Sequence, residues 1–187
     1  MIVDEIEVIR RCQQGDHTAF ASLMEGYQSY AFALAVRLLC HEEDALDVVQ
    51  ETFIRVWKHI PSFDPRRKFS TWLYTIATNL CMDRLRQRAR MRRYAADDAS
   101  EAIESAAARE NLEEQQCNAD LIRRLKFLAA RLTETQRLVF TLRDLQELSI
   151  REVADITGLS RASVKVHTSL ARKRLRHYLT TEELETG

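Results

Sequence analysis

Apolar residues recur every three or four positions along most of this chain, and each stretch so marked predicts a helix with one buried face. Residues 3–13 suggest a short opening helix, ended near Gly15. Asp16 is an N-cap candidate for a long helix to about Cys40, whose Phe20, Leu23, Tyr27, Ala31, Leu34 and Leu38 step along one face. A third helix starts around Glu43 and Asp44, acids suited to the positive end of a helix dipole. Val49, Phe53, Val56 and Ile60 line its core face, and Pro61 closes it. After the loop Ser62–Phe69, Ser70 is placed to cap a helix to about Arg93, apolar in its first half and densely charged in its second.

From Ala95 to Gln116 the pattern lapses into alanine and acid, with few large apolar residues, and reads as a linker. Fully extended it could reach roughly 70 Å, at about 3.3 Å per residue. Periodicity resumes near Asn118, where Leu121, Leu125, Leu128 and Leu132 share a face. Thr133 with Gln136, and Ser149 with Glu152, have capping-box spacing. The first box opens a helix to about Gln146 and the second a helix stopped by Gly158. Ser160 caps a last helix to about Leu179, which leaves an acidic tail expected to be mobile.

Composition agrees with helices throughout. The 187 residues include 4 Gly and 2 Pro, too few turn formers for an all-β chain. The expected fold is all-α, with two small helical domains (1–94 and 118–180) joined by a flexible acidic linker (95–117) and followed by a tail (181–187). The longest apolar run, Tyr30 to Val36, is far too short to span a membrane, and the charged N-terminus has no signal-peptide core. The four cysteines, Cys12, Cys40, Cys81 and Cys117, are scattered and read as reduced thiols of a cytoplasmic protein. A zinc site at Cys40 and His41 would need partners that the spacing does not supply, so neither metal nor cofactor is expected.

The formal net charge of zero conceals strong segregation. Residues 1–60 carry 5 basic and 10 acidic groups, and residues 61–93 carry 9 and 2. Residues 94–118 carry 1 and 7, and residues 119–187 carry 13 and 9. Two basic blocks therefore flank an acidic one, the clustering by which nucleic-acid binders are recognised.

The second basic block has a definite pattern. Ala154 is small where two helices must approach closely. Gly158 occupies a turn where a left-handed conformation is cheap only for glycine, and Val164 packs the second helix back on the first. With Val153 and Leu159 as flanking core, this is a helix-turn-helix. Its second helix carries Arg161, Lys165, Arg172, Lys173, Arg174 and Arg176 and no acid before the tail, which suits a helix lying in the major groove. Arg161, Ser163, Lys165, Val166, His167 and Ser169 are the candidates for base edges. Arg172, Lys173 and Arg176 are candidates for phosphates, which position but do not specify.

The first basic block sets aromatics beside arginines, in FSTWLYTIATNLCMDRLRQRAR from Phe69 to Arg90. Aromatics stack on unpaired bases while arginines hold the backbone, so this surface suits single-stranded or melting DNA. Core packing remains the other reading of Trp72 and Tyr74, which lie two apart on a helix and cannot both point the same way. The preceding helix, DALDVVQETFIRVW from Asp44 to Trp57, shows a polar face of Asp47, Gln50, Glu51 and Lys58 that could be simply solvated.

DVVQETFIRVW, FSTWLYTIATNLCMDRLR and LSIREVADITGLSRASVKVHTSLARKRLR, in that order, resemble bacterial sigma factors of the sigma-70 family, in the two-region layout of the extracytoplasmic-function (ECF) group. The resemblance covers about residues 5–94 and 118–180. It implies that Asp47, Gln50 and Glu51 dock on the β′ clamp helices of core RNA polymerase. It implies that Phe63–Arg84 read and melt the −10 element, with Arg55, His59, Phe63, Phe69 and Asn79 around a flipped base and Trp72 and Arg84 beside it. Flipping costs a few kcal/mol, which such a pocket returns by stacking and edge hydrogen bonds. The helix-turn-helix would read the −35 element and hold the β flap, and the linker would thread the polymerase cleft. The implied partners are core RNA polymerase, promoter DNA and an anti-sigma factor, with no membrane insertion. His59 and Lys165 to His167 fall where family members vary, so no promoter sequence follows. A stand-alone regulator with a similar helix-turn-helix would need another regulatory domain, and residues 1–95 show no alternating strands for a receiver. A nucleic-acid enzyme would need clustered metal-holding acids, and none is in place, so the protein is expected not to be an enzyme.

Overall fold

Asp16 sets up the first half of the chain. Its carboxylate accepts the backbone N–H groups of Thr18 and Ala19 and the Arg11 guanidinium, contacts that hold its carboxyl below the usual range. It thereby ends α1 (Glu5–Gln13) and starts α2 (His17–Leu39). In the computed structural model, which describes residues 5–97 and 122–185, α2 ends on Cys40 in the left-handed region (φ 51°). His41 then caps α3 (Glu42–His59), its Nδ1 accepting from Asp44 N–H, one step before the acids expected to begin that helix. A 3-10 turn (Ile60–Ser62) leads into the loop before α4 (Phe69–Asp97). Ser70 does not cap α4: the helix begins one residue earlier, and the buried Ser70 hydroxyl has no partner.

In the second half a helix, α5, covers 122–129. Both capping boxes form as the sequence spacing requires. Thr133 and Gln136 open α6 (Glu134–Phe140), and Ser149 and Glu152 open α7 (Ile150–Thr157). A π-helical turn (Thr141–Leu145) extends α6 almost to Gln146. Gly158 ends α7 at φ 72° and Ser160 accepts the N–H of Ser163 at the start of α8 (Arg161–Glu185). That helix runs past Leu179 into the stretch expected to be a mobile tail. The expected linker lies almost wholly outside the described residues.

One core joins α1 to the outer half of the first domain through Ile9, Leu23, Phe53, Val56, Phe69 and Leu73. The other spans both domains. Leu34, Leu38, Tyr74, Ala77 and Cys81 of α2 and α4 form one buried cluster with Val139, Leu142, Val153, Ile156 and Val164 of the helix-turn-helix half. The sequence set no orientation between the two halves; here α7 packs on α4, and the π turn on α2. Among the described residues there is no strand, no helix long and apolar enough to cross a membrane, and no cluster able to hold a metal ion.

Candidate nucleic-acid and polymerase interfaces

At 100° per residue, α8 sorts its own side chains. Val164, Thr168, Ala171 and Leu175 are buried and define the inner face. Val166 and Lys173 fall opposite, with Ser169, Arg176 and Lys165 running from there towards one flank; all five are exposed, and Val166 stands 55% exposed although apolar. A groove of about 610 Å³ beside them is lined by Arg143, Lys165, Ser169, Arg172, Lys173 and Arg176. Arg161 and Arg172 lie on one flank, where Arg172 makes a two-pronged pair with Asp144 at 2.6 and 2.8 Å. Ser163 and His167 lie on the other flank, half-buried, with His167 Nδ1 enclosed and unpartnered. The expected base-edge set is thus split, and only part of it faces outward. Arg174 lies on the flank of Ser163 and His167 and is engaged within the domain, donating to Gln136 Oε1 at 2.7 Å. Arg143 was missed by the sequence reading because it sits outside the helix-turn-helix; it is tied to the Leu148 carbonyl at 3.2 Å.

The loop 62–69 and the start of α4 make an aromatic corner. Phe63 and Trp72 stack at 4.6 Å with rings 26° apart, and Phe69 meets both edge-on. Phe69 is fully buried and Phe63 nearly so, so Phe69 offers no surface to a base here and serves as the floor of the corner. Trp72 is half-buried, while Tyr74 is buried on the far side of α4, as their two-residue separation requires. Gln13 fixes the corner, its Nε2 donating to the carbonyls of Ile60 and Phe63 at 3.1 and 2.7 Å. These partners lie some fifty positions from Gln13 in sequence, and no local signal marks them. Arg66, Arg67 and Lys68 are exposed on the loop. The Arg66 fork grips Asp64 and lowers its pKa. Trp72, Asn79, Arg86 and Arg90 follow at spacings of seven, seven and four on one side of α4, exposed from Asn79 onward, whereas Arg84 lies about a third of a turn away, against α3.

On α3, Asp47, Gln50 and Glu51 share the outer face with Leu46 and Ile54, which are 55% and 54% exposed. Leu46 and Ile54 thus place an apolar strip between the carboxylates of this face. Two of these carboxylates hold arginines, in the pairs Glu51–Arg55 at 2.8 Å and Asp47–Arg84 at 3.4 Å. Such exposed pairs are worth about 0–1 kcal/mol, so either partner is easily exchanged. His59 is exposed one turn beyond Arg55.

Burial raises the pKa of the Cys12, Cys40 and Cys81 thiols, that of Cys81 to about 12, and Cys117 lies outside the described residues.

Comparisons with known proteins match these two halves separately. Residues 23–91 match the family model for Sigma-70 region 2, and residues 122–175 that for Sigma-70, region 4. The ECF RNA polymerase sigma factor SigW of Bacillus subtilis is 32% identical over 178 residues, covering 91% of this chain and 94% of that protein. The ECF RNA polymerase sigma-E factor of Escherichia coli K12 is 32% identical over 180 residues, covering 93% of each. Among solved structures, CnrH in complex with the cytosolic domain of CnrY aligns at TM-score 0.69 and 26% identity, over 95% of this chain and 99% of that one. The sigma factor RpoE of Bartonella quintana, in complex with the anti-sigma factor NepR, aligns at 0.68 and 27%, over 86% and 96%. With both regions matched in order and relatives above 30% identity along nearly the whole length, the chain belongs to the sigma-70 family of RNA polymerase sigma factors, in its ECF group.

Proposed function

We propose that this chain docks on core RNA polymerase through the outer face of α3 and directs it to promoters. It reads a −10 element with the aromatic corner and α4, and a −35 element with the outward face of α8. The observation that carries the reading is the division of surfaces on α3 and α4: an apolar-acidic docking strip at Leu46–Ile54 beside the aromatic, basic corner at Phe63–Trp72. A stand-alone DNA binder has no use for the first.

The −10 contacts fall to Trp72, Asn79, Arg55, His59 and Arg84, with Phe63 and Phe69 shaping the corner beneath them. The −35 base edges fall to Lys165, Val166 and Ser169, with Arg161, Ser163 and His167 at the margins. Phosphates fall to Arg172, Lys173 and Arg176. Exchanging the carboxylates of Asp47 and Glu51 onto polymerase would release Arg84 and Arg55 towards DNA. The solved complex of the sigma factor RpoE with the anti-sigma factor NepR supports control by an anti-sigma factor, for which the same α3 strip is a natural target.

The test is the double charge reversal Asp47→Lys/Glu51→Lys. Both residues are on the surface, so folding should be spared while co-purification with core polymerase is lost. A variant that keeps full affinity for core enzyme removes α3 as the docking face.

A further inference from the structure

Lys68 Nζ donates to Glu152 Oε1 at 2.6 Å and the Tyr74 hydroxyl to Gln146 Oε1 at 3.1 Å, closing one end of the seam between the two halves. Farther along α4 the seam opens into two hollows that share Leu85, Ala89 and Arg137. Helical spacing sorts the arginines of α4 between them. Leu85 and Ala89 form a ridge, with Arg86, Arg90 and Arg93 on one side and Arg88 and Arg92 on the other. The hollow on the Arg86 side, about 780 Å³, continues the side of α4 that carries Asn79 and is lined also by Asp83 and Glu134.

The other hollow, about 610 Å³, has a different chemistry. Leu39, Cys40, Leu85 and Ala129 give it apolar walls, and no carboxylate lines it. Cations reach it from Arg88 and Arg92 of α4, Lys126 of α5 and Arg137 of α6. Arg88 is spent on Asp44 and on the Leu39 carbonyl. Among the described residues Arg92, Lys126 and Arg137 are in no ion pair, and Arg137 Nε is buried with no hydrogen-bond partner. Cations gathered without an acid repel one another, and an enclosed N–H without an acceptor costs stability. Such a cluster is explained by an anion from outside. Arginine forks and a lysine point charge are the side chains that hold phosphate, and the volume is that of a small-ligand site.

We propose that this hollow binds a polyphosphate chain, free or carried by a nucleotide, with its oxygens on Arg92, Lys126 and Arg137. Several linked phosphates match cations that arrive from separate helices, and they supply Arg137 Nε with the acceptor it lacks. The apolar wall of Leu39, Cys40 and Ala129 offers a nucleobase a place beside the phosphates. None of the lining residues belongs to the α3 strip, the aromatic corner or the outer face of α8, so the site is separate from the surfaces assigned to polymerase and promoter.

The test is calorimetric titration of the full chain with tripolyphosphate, GTP and orthophosphate at one ionic strength. Saturable binding of tripolyphosphate, about tenfold or more tighter than orthophosphate, is expected. GTP that binds no tighter than tripolyphosphate means that the phosphate chain alone is recognised, whereas tighter GTP places a base on the apolar wall. Lys126→Gln, at an exposed residue, should weaken binding about tenfold, the worth of one charge-assisted contact. Arg137→Gln should do the same without lowering the melting temperature of the ligand-free chain, because its buried Nε has no bond to lose. Lys173→Ala/Arg176→Ala, on the outer face of α8, should leave the affinity unchanged. An absence of saturable binding, orthophosphate as tight as tripolyphosphate, or binding that survives Lys126→Gln and Arg137→Gln but is lost with the α8 pair overturns the site.

Discussion

Gly158 carries the turn of the helix-turn-helix on its backbone alone. Its φ of 72° is left-handed, and no atom lies within 4 Å of where a Cβ would stand. Substitution there tests conformation without steric contact. Gly158→Ala should lower stability by about 1–2 kcal/mol, the cost of placing a β-carbon in that region. Gly158→Asn should cost less, since asparagine tolerates it. Urea unfolding of both variants checks the order; equal costs would point to lost packing instead. Gly158 was legible because the requirement is local. Phe69 was not: an aromatic beside arginines signals base stacking and core burial alike, and only the neighbours supplied by α2 and the loop decide for burial. Gln13 was invisible for a similar reason, since its two acceptors come from a different helix and turn.

Elements were the most readable level of this chain. Two capping boxes, a glycine stop and an apolar period fix α6, α7 and the start of α8 from a few adjacent residues each. What the period could not do is rank the face of α8, because Ser163 and His167 lie within one turn of Lys165 in sequence but on a different flank in space. The ranking has a consequence for DNA reading. Lys165→Ala should change which −35 sequences are used, with about 1–3 kcal/mol of discrimination lost at one position. Arg176→Ala should weaken all promoters alike and flatten the salt dependence. Competition among −35 variants at two salt concentrations separates the classes. A uniform loss from Lys165→Ala would move that side chain to the phosphate set.

At the scale of the whole molecule, the seating of one domain on the other escaped the sequence because an apolar face announces burial but not its partner. Leu34 and Leu38 read as core of their own domain, and Lys68 and Glu152 are 84 positions apart. The ion pair adds a pH dependence. Hydrogen bonding from Lys68 holds the Glu152 carboxyl at about 2, below its ordinary 4.5. A carboxyl depressed by folding contributes stability that is complete above 4.5 and is lost as pH falls towards 2. Glu152→Gln keeps a capping-box side chain but removes the charge. Its urea midpoint should therefore fall less than the wild type's between pH 7 and pH 3.5, and an equal fall would mean the pair contributes nothing. The central claim, that these surfaces together make a promoter-specificity subunit, is tested most directly by transcription from genomic fragments with purified core polymerase, mapping the 5′ ends of the products. Discrete starts that appear only when the chain is added, preceded at fixed spacing by shared −10 and −35 sequences, are the expected result. Tight binding of the chain alone to duplex DNA, with no new starts from core polymerase, would contradict it.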